Sequence, residues 1–324
     1  MSEYKAEHGF EIKNRSSDPP SPIAGEIWYN STSRTLKCAP NIAAWASGGV
    51  YPLAIAGLGG CGTQTAALGA GGNPPATPPG GVSNQSAEYD GSSWTTGNNI
   101  GTARSSFQGH GTQTAGMVTG GSKPGTYYAN HEHYDGTSWS EQPDINTARN
   151  TAAVATQGSQ TAGLFSGGYE GTAAQSVVEE FNGSSWSEVT DIPAANYAWA
   201  GLGSQTAGLA FGGTPLPSYG DITYEYDGTN WTDGGSLNQA RQGMAGAGSQ
   251  TAGLAFGGEN SGYRSETEGY DGTSWSTRPS LANARQNTAG AGTQTAALAG
   301  AGEPAMVNTE EFSNVTTIRS VDTS

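Results

Sequence analysis

An all-β propeller of six blades is the fold this sequence predicts, and two rhythms in the chain predict it. The phrase Gln-Thr-Ala begins at Gln64, Gln113, Gln160, Gln205, Gln250 and Gln294, in steps of 49, 47, 45, 45 and 44 residues. Six tryptophans keep the same beat: Trp45, Trp94, Trp139, Trp186, Trp231 and Trp275 each precede a glutamine by 19 residues, with 21 between Trp139 and Gln160. A period of this length belongs to four-stranded repeats set around an axis. A gradient of side-chain size is the third observation. Each repeat starts with small segments such as AGAG and QTAGLA and ends with Tyr and Trp. Blades that radiate from an axis leave a gap that widens outward, so small inner strands and bulky outer ones fill it.

Taken in order, residues 1–22 end in Pro19-Pro20-Ser21-Pro22 and read as an arm. Residues 23–44 carry GEIWYNSTSRTLK, a predicted hairpin with a polar turn around Asn30-Ser31-Thr32, and residues 45–324 are assigned to the propeller. Within a repeat, strands a and b meet at a Gly-Ser or Gly-Thr turn. Both end in glycine, where a tight turn needs positive φ. Strand c sets an acid beside an aromatic, as in Glu88-Tyr89, Glu180-Phe181, Glu225-Tyr226 and Glu311-Phe312. Asp-Gly or Asn-Gly follows, a strong hairpin signal, and the tryptophan then opens strand d. Trp45 begins WASGG much as Trp231 begins WTDGG, so the N-terminal side supplies a strand d. The C-terminal NTEEFSNV supplies a strand c without a tryptophan. Their pairing is expected to complete the sixth blade and hide its edges. The six tryptophans are read as core, each burial contributing roughly 3 kcal/mol.

Composition narrows the function. The chain of 324 residues has 13 basic and 28 acidic side chains, a net charge of −15. Such a surface repels phosphate backbones and argues against nucleic acid as a partner. The N-terminal MSEYKAEHGFEIKNR has no apolar core of the kind a secretion signal needs, and no apolar run reaches membrane-spanning length. Cys38 and Cys61 are too few for a disulfide framework; free or buried thiols are one reading and a single bridge the other.

The order of Ala-Arg at the start of strand a, Gly-Gly after strand b, then Tyr and Trp resembles the kelch repeat. The pieces are Ala103-Arg104, Ala148-Arg149, Ala240-Arg241 and Ala284-Arg285, with Gly120-Gly121, Gly167-Gly168, Gly212-Gly213 and Gly257-Gly258. Asn196 and Ile55 stand where two repeats lack the arginine. The wording YDGTSW, LNxAR and GTQTAxLAxGG is also similar to kelch-like repeats in virion proteins of marine bacteriophages. GEIWYNSTSRTLK resembles short hairpins of phage tail and fibre proteins. These resemblances imply a non-enzymatic virion structural protein, associated with the tail or a tail fibre and assembled in the host cytoplasm. Its partners would be other virion proteins, with host-surface glycans in addition. A capsid decoration protein and a free glycan-binding lectin are the alternatives, and a copper oxidase stands last.

No catalytic constellation emerges, and no cofactor is expected. The kelch-type oxidase, galactose oxidase, requires copper, two Tyr, two His and a Cys–Tyr crosslink. The histidines here are His8, His110, His131 and His133, and the last two share one side of a strand c. They are expected to be exposed on an outer strand rather than to hold a metal. Glu88, Glu132, Glu180, Glu225, Glu268 and Glu311 are expected to form a ring that pairs with the strand-a arginines. One carboxylate per Asp-Gly turn is too few oxygens for calcium, so those turns are read as solvated.

Recognition is expected at one end of the blades. The a–b and c–d turns share one face and are nearly uniform, whereas the b–c loops on the other differ in length and content. Variation confined to one face of a repeat protein marks its recognition surface. Tyr127, Tyr128, Tyr169, Tyr219, Tyr263 and Arg264 are its candidate residues.

Overall fold

The computed structural model describes residues 12–75, 81–214, 218–304 and 306–321. His8 therefore lies outside the described residues, as do parts of three b–c loops. Among the described residues there is no helix, and the chain is all-β and propeller-like. It divides into a large unit, Trp45–Phe312, and a smaller one formed by the residues before and after it.

Six antiparallel sheets of four strands follow the repeats in order. Sheet 1 holds Gly59–Thr63, Ala66–Ala70, Ser86–Tyr89 and Trp94–Thr96, and sheet 2 holds Gly109–Thr112, Ala115–Thr119, His131–Tyr134 and Trp139–Gln142. Sheet 3 holds Ala153–Val154, Gly163–Ser166, Val178–Phe181 and Trp186–Glu188. Sheet 4 holds Ala200–Ser204, Ala207–Phe211, Thr223–Tyr226 and Trp231–Asp233. Sheet 5 holds Ala245–Ser249, Ala252–Phe256, Thr267–Tyr270 and Trp275–Arg278. Sheet 6 takes Ala289–Gly292, Ala296–Gly300 and Thr309–Thr316 from the last repeat, and its fourth strand is Asn41–Ser47. The predicted strands a to d thus appear in order in each sheet.

The repeated glutamine has a structural task that its sequence context did not reveal. In each sheet its side-chain Nε2 donates to one strand-b carbonyl and one strand-c carbonyl of the preceding sheet, at 2.6–3.2 Å. Gln113 holds Ala67 and Tyr89, Gln250 holds Gly208 and Tyr226, and Gln64 of sheet 1 holds Ala297 and Phe312 of sheet 6. Truncating Gln64 to alanine strands two carbonyls at one such junction. With each bond contributing about 1 kcal/mol net, Gln64→Ala is expected to lower unfolding stability by about 2 kcal/mol in a urea titration.

A second series of bonds links the inner ends of the sheets. Ser106 N–H donates to Gly57 C=O, Thr151 to Ser106, Ala198 to Thr151, Gly243 to Ala198, Asn287 to Gly243 and Gly57 back to Asn287, at 2.7–3.0 Å. All six residues have positive φ, between 50° and 65°. Only two are glycine, so the other four hold a strained conformation that the bonded series fixes.

Aromatic and small side chains pack between neighbouring sheets. Leu58, Tyr89 and Trp94 of the first repeat bury against Ala289 and Leu298 of the last. Trp94, Trp186, Trp231 and Trp275 are buried, whereas Trp45 and Trp139 are half-buried. The indole N–H groups of Trp45, Trp94 and Trp275 donate to the hydroxyls of Thr267, Thr309 and Thr223, each on the sheet before its own.

In the smaller unit the predicted hairpin is present as Ile27–Asn30 against Thr35–Cys38. Lys13–Arg15, part of the expected arm, is instead a strand parallel to Ile27–Asn30, and Arg319–Ser320 pairs on the other edge. Trp28 is fully buried there, its N–H on the Asp18 carboxylate at 3.1 Å. Both cysteines are free thiols. Cys61 is buried, and that burial pushes its thiol up to about 12. Native protein is therefore expected to consume one equivalent of an aromatic disulfide reagent at pH 8, at half-buried Cys38, and a second only on unfolding.

Candidate recognition face

The two ends of the sheets differ in chemistry. At one end the a–b and c–d turns meet: Gly91, Gly136, Gly183, Gly228 and Gly272 abut Thr65, Thr114, Thr161, Thr206 and Thr251. The turn acids are committed locally. Asp90 accepts from the backbone N–H groups of Ser92 and Ser93, and Asp135, Asp227 and Asp271 repeat the pattern. These bonds pull the Asp90 carboxyl down to about 2. Asn182 makes the same turn without a charge. Hydrogen bonding to their own turn is what these side chains do.

Buried ion pairs stand behind the opposite end. Arg104, Arg149, Arg241 and Arg285 are fully buried, and each meets one carboxylate: Glu132 at 2.5 Å, Glu179 at 2.5 Å, Glu268, and Glu310 at 2.5 Å. The expected ring of six glutamates is corrected here. Glu132 and Glu268 do bind arginine, but Arg149 and Arg285 take Glu179 and Glu310, one residue earlier than Glu180 and Glu311. Successive strand residues face opposite sides, so the second set looks toward the next sheet. There Glu88, Glu180, Glu225 and Glu311 accept hydrogen bonds from Tyr134, Tyr226, Tyr270 and Tyr89. Absences are paired too. Where Ile55 and Asn196 replace arginine, Ala87 and Tyr224 replace its glutamate; where Phe181 and Phe312 replace tyrosine, His133 and Gly269 replace its acceptor.

The histidines are a second correction. His110 and His131 are fully buried and His133 half-buried, not exposed on an outer strand. Thr119 Oγ1 lies 3.1 Å from His110 Nε2 and 2.7 Å from His131 Nδ1, and His131 Nε2 lies 2.9 Å from His133 Nε2. Thr119 occupies the strand between them, which is why the two histidine strands communicate although they are not adjacent. Burial lowers His110 to about 3, His131 to about 2 and His133 to about 4, so all three imidazoles are neutral at pH 7. Among the described residues no group of three or more His, Cys, Asp or Glu is placed to hold a metal ion.

On the face of the b–c loops, one backbone frame carries different side chains in each repeat. The residue after each arginine position bridges to the residue after Gly-Gly, or after Ala301-Gly302 in the last repeat: Ala56 to Asn73, Ser105 to Ser122, Asn150 to Tyr169, Gln242 to Glu259 and Gln286 to Glu303. Tyr197 accepts from Thr214 N–H at 2.9 Å in the remaining repeat. Identical geometry therefore presents Asn, Ser, Tyr, Thr, Glu and Glu in turn.

The candidate residues fall into two groups rather than one. Tyr127 stacks edge-on with Tyr169 at 5.9 Å, and Tyr169 continues to Tyr197 at 5.2 Å. Tyr128 lies under the Lys123 ammonium at 5.7 Å. On the other side Tyr219 Oη donates to Glu259 at 3.4 Å, and Tyr263 is 42% exposed beside Glu303, whose charge raises its phenol. Arg264 pairs with Glu266 at 3.6 Å and donates to Asn260 C=O. Tyr197, Asn73 and Glu303 escaped the sequence reading because they sit at strand ends, where only the bridge pattern identifies them.

Neither a scan against protein-family models nor a search of curated proteins finds a match to this chain.

Proposed function

We propose that the chain is a six-bladed, kelch-like propeller whose sixth blade is completed by Asn41–Ser47, and that it works as a non-enzymatic docking disc of a bacteriophage particle. Two features support the closed ring: the glutamine bonds that run from every sheet to the one before, sheet 1 to sheet 6 included, and the bonded series that returns from Gly57 to Asn287. One observation carries the binding role. The bridged positions on the b–c face repeat in backbone and differ in side chain, while the opposite face repeats in both. A rigid frame with residue-by-residue variation on one face alone is built to recognise, and a unique reaction needs no such frame. The tail or a tail fibre as the setting rests on the resemblance of YDGTSW, LNxAR and the GEIWYNSTSRTLK hairpin to phage virion sequences.

Density-gradient purification of the source particles, followed by mass spectrometry of this polypeptide against the major capsid protein, tests the setting. A fixed stoichiometry is expected. Absence from the particles removes the virion role and leaves the binding face with a soluble partner.

A further inference from the structure

We propose that the b–c face carries a saccharide site between Tyr263 and Tyr127, selective for uncharged sugars. The inference rests on the reading of this face as the recognition surface and names what it recognises. Two adjoining cavities of about 370 and 260 Å3 share Asn73 and Ser105, so they form one basin across the first, second, fifth and last repeats. That size falls in the range of small-molecule sites, roughly 300–1,000 Å3.

The lining selects the ligand class. Tyr263 stands at one end and Tyr127 at the other, the first with 42% of its surface open. Between them Asn73, Ser105, Ser106, Asn287 and Glu303 supply amide, hydroxyl and carboxylate groups over a floor of backbone. Glu303 is already oriented, accepting from Gln286 Nε2 at 2.9 Å and Asn287 Nδ2 at 3.4 Å. A partner for this surface needs hydroxyls around its edge and an apolar face for a phenol ring, which is the chemistry of a pyranose. A protein partner is the poorer fit. Protein interfaces centre on buried aromatic and apolar anchors, and among the described residues Tyr263 is the one large exposed ring of this lining, with no exposed Leu, Ile or Val beside it. The Glu303 carboxylate and the net charge of −15 exclude acidic sugars by repulsion. Lys123, the single cation among the described residues of the lining, is drawn over Tyr128.

The test uses the full chain and saturation-transfer NMR against four probes: maltohexaose, a β-galactose tetrasaccharide, chitotetraose and sialyllactose. At least one neutral probe is expected to bind and sialyllactose is not. Tyr263→Ala and Glu303→Gln are each expected to weaken that binding tenfold or more, with the thermal midpoint unchanged. Tyr219→Ala, outside the basin, is expected to leave it intact. Binding of sialyllactose alone, binding by none of the probes, or binding indifferent to Tyr263 and Glu303 overturns the proposal. Particle stoichiometry separates this result from the setting: a chain fixed in particles that binds no sugar keeps its docking role, and a sugar-binding chain absent from particles keeps the site.

Discussion

Replacing Glu179 with alanine is expected to destabilise the protein by about 3–5 kcal/mol, the cost of leaving a buried guanidinium uncompensated. Arg149 is fully buried, and its carboxylate partner is buried with it. Its other bonds, to Gly167 C=O at 2.8 Å and Thr147 C=O at 3.0 Å, satisfy donors but carry no countercharge. Glu179 also receives the Asn146 backbone N–H and side-chain amide at 2.8 and 2.7 Å, so its loss frees the loop as well. The molecule itself contains the remedy. In the first repeat Ile55 and Ala87 occupy the two positions, both buried, with no ion pair. The double variant Arg149→Ile with Glu179→Ala is therefore expected to recover most of the loss, because an apolar pair replaces a desolvated charge pair at little net cost. Urea unfolding of the wild type, both single variants and the double variant closes the cycle. A single variant within 1 kcal/mol of wild type, or a double variant less stable than Glu179→Ala, contradicts the assignment.

Much of this architecture was legible because it repeats. Period, turn dipeptides and the size gradient placed strands a to d and located the hairpin Ile27–Cys38. What periodicity cannot supply is the direction in which a repeated residue points. The glutamine of Gln-Thr-Ala recurs without variation, yet its bonds go to another repeat, which no local pattern records. The glutamates show the same blindness at a spacing of one residue: the aromatic neighbour Phe181 points to Glu180 as the arginine partner, while Glu179 on the opposite side makes the pair. Paired absence carried the missing signal, since Ile55 goes with Ala87 and Asn196 with Tyr224. On the b–c face the tyrosines were visible as aromatic residues in loops. Asn73 and Glu303 were not, because loops of unequal length hide that both occupy the same bridged position.

Acid is expected to open the junction between sheets 2 and 3 before any other. Four of the six junctions join a tyrosine to a glutamate, but this one sets His131 and His133 against Phe181 and Trp186. The Trp186 indole N–H and His110 Nδ1 have no partner among the described residues. Among the described residues no carboxylate answers the imidazoles; after burial itself, His110 and His133 and then the Arg104 guanidinium all disfavour a proton on His131. The folded values, about 3 for His110 and about 2 for His131, lie below the ordinary 6.5, so the unfolded chain binds more protons. Stability is then complete above pH 6.5 and falls as pH drops toward the folded values. At pH 4.5 each buried histidine costs on the order of 3 kcal/mol, the unfolded chain taking up a proton that the folded one refuses. Two such groups take a large share of the 5–15 kcal/mol typical of a domain. The Asp-turn carboxyls contribute to a separate window, because their lowered values hold until pH falls below about 4, the ordinary range for Asp. Urea midpoints measured from pH 7.5 to 4.5 are expected to be dominated by the histidine window. Installing the lock used elsewhere, by His131→Thr, His133→Glu and Phe181→Tyr together, gives Trp186 a hydroxyl acceptor and restores a tyrosine–glutamate bond. Of the described histidines His110 alone then remains to titrate, so the slope between pH 6.5 and 4.5 is expected to fall by half or more. A slope unchanged by the triple substitution would assign the acid sensitivity to groups outside this junction.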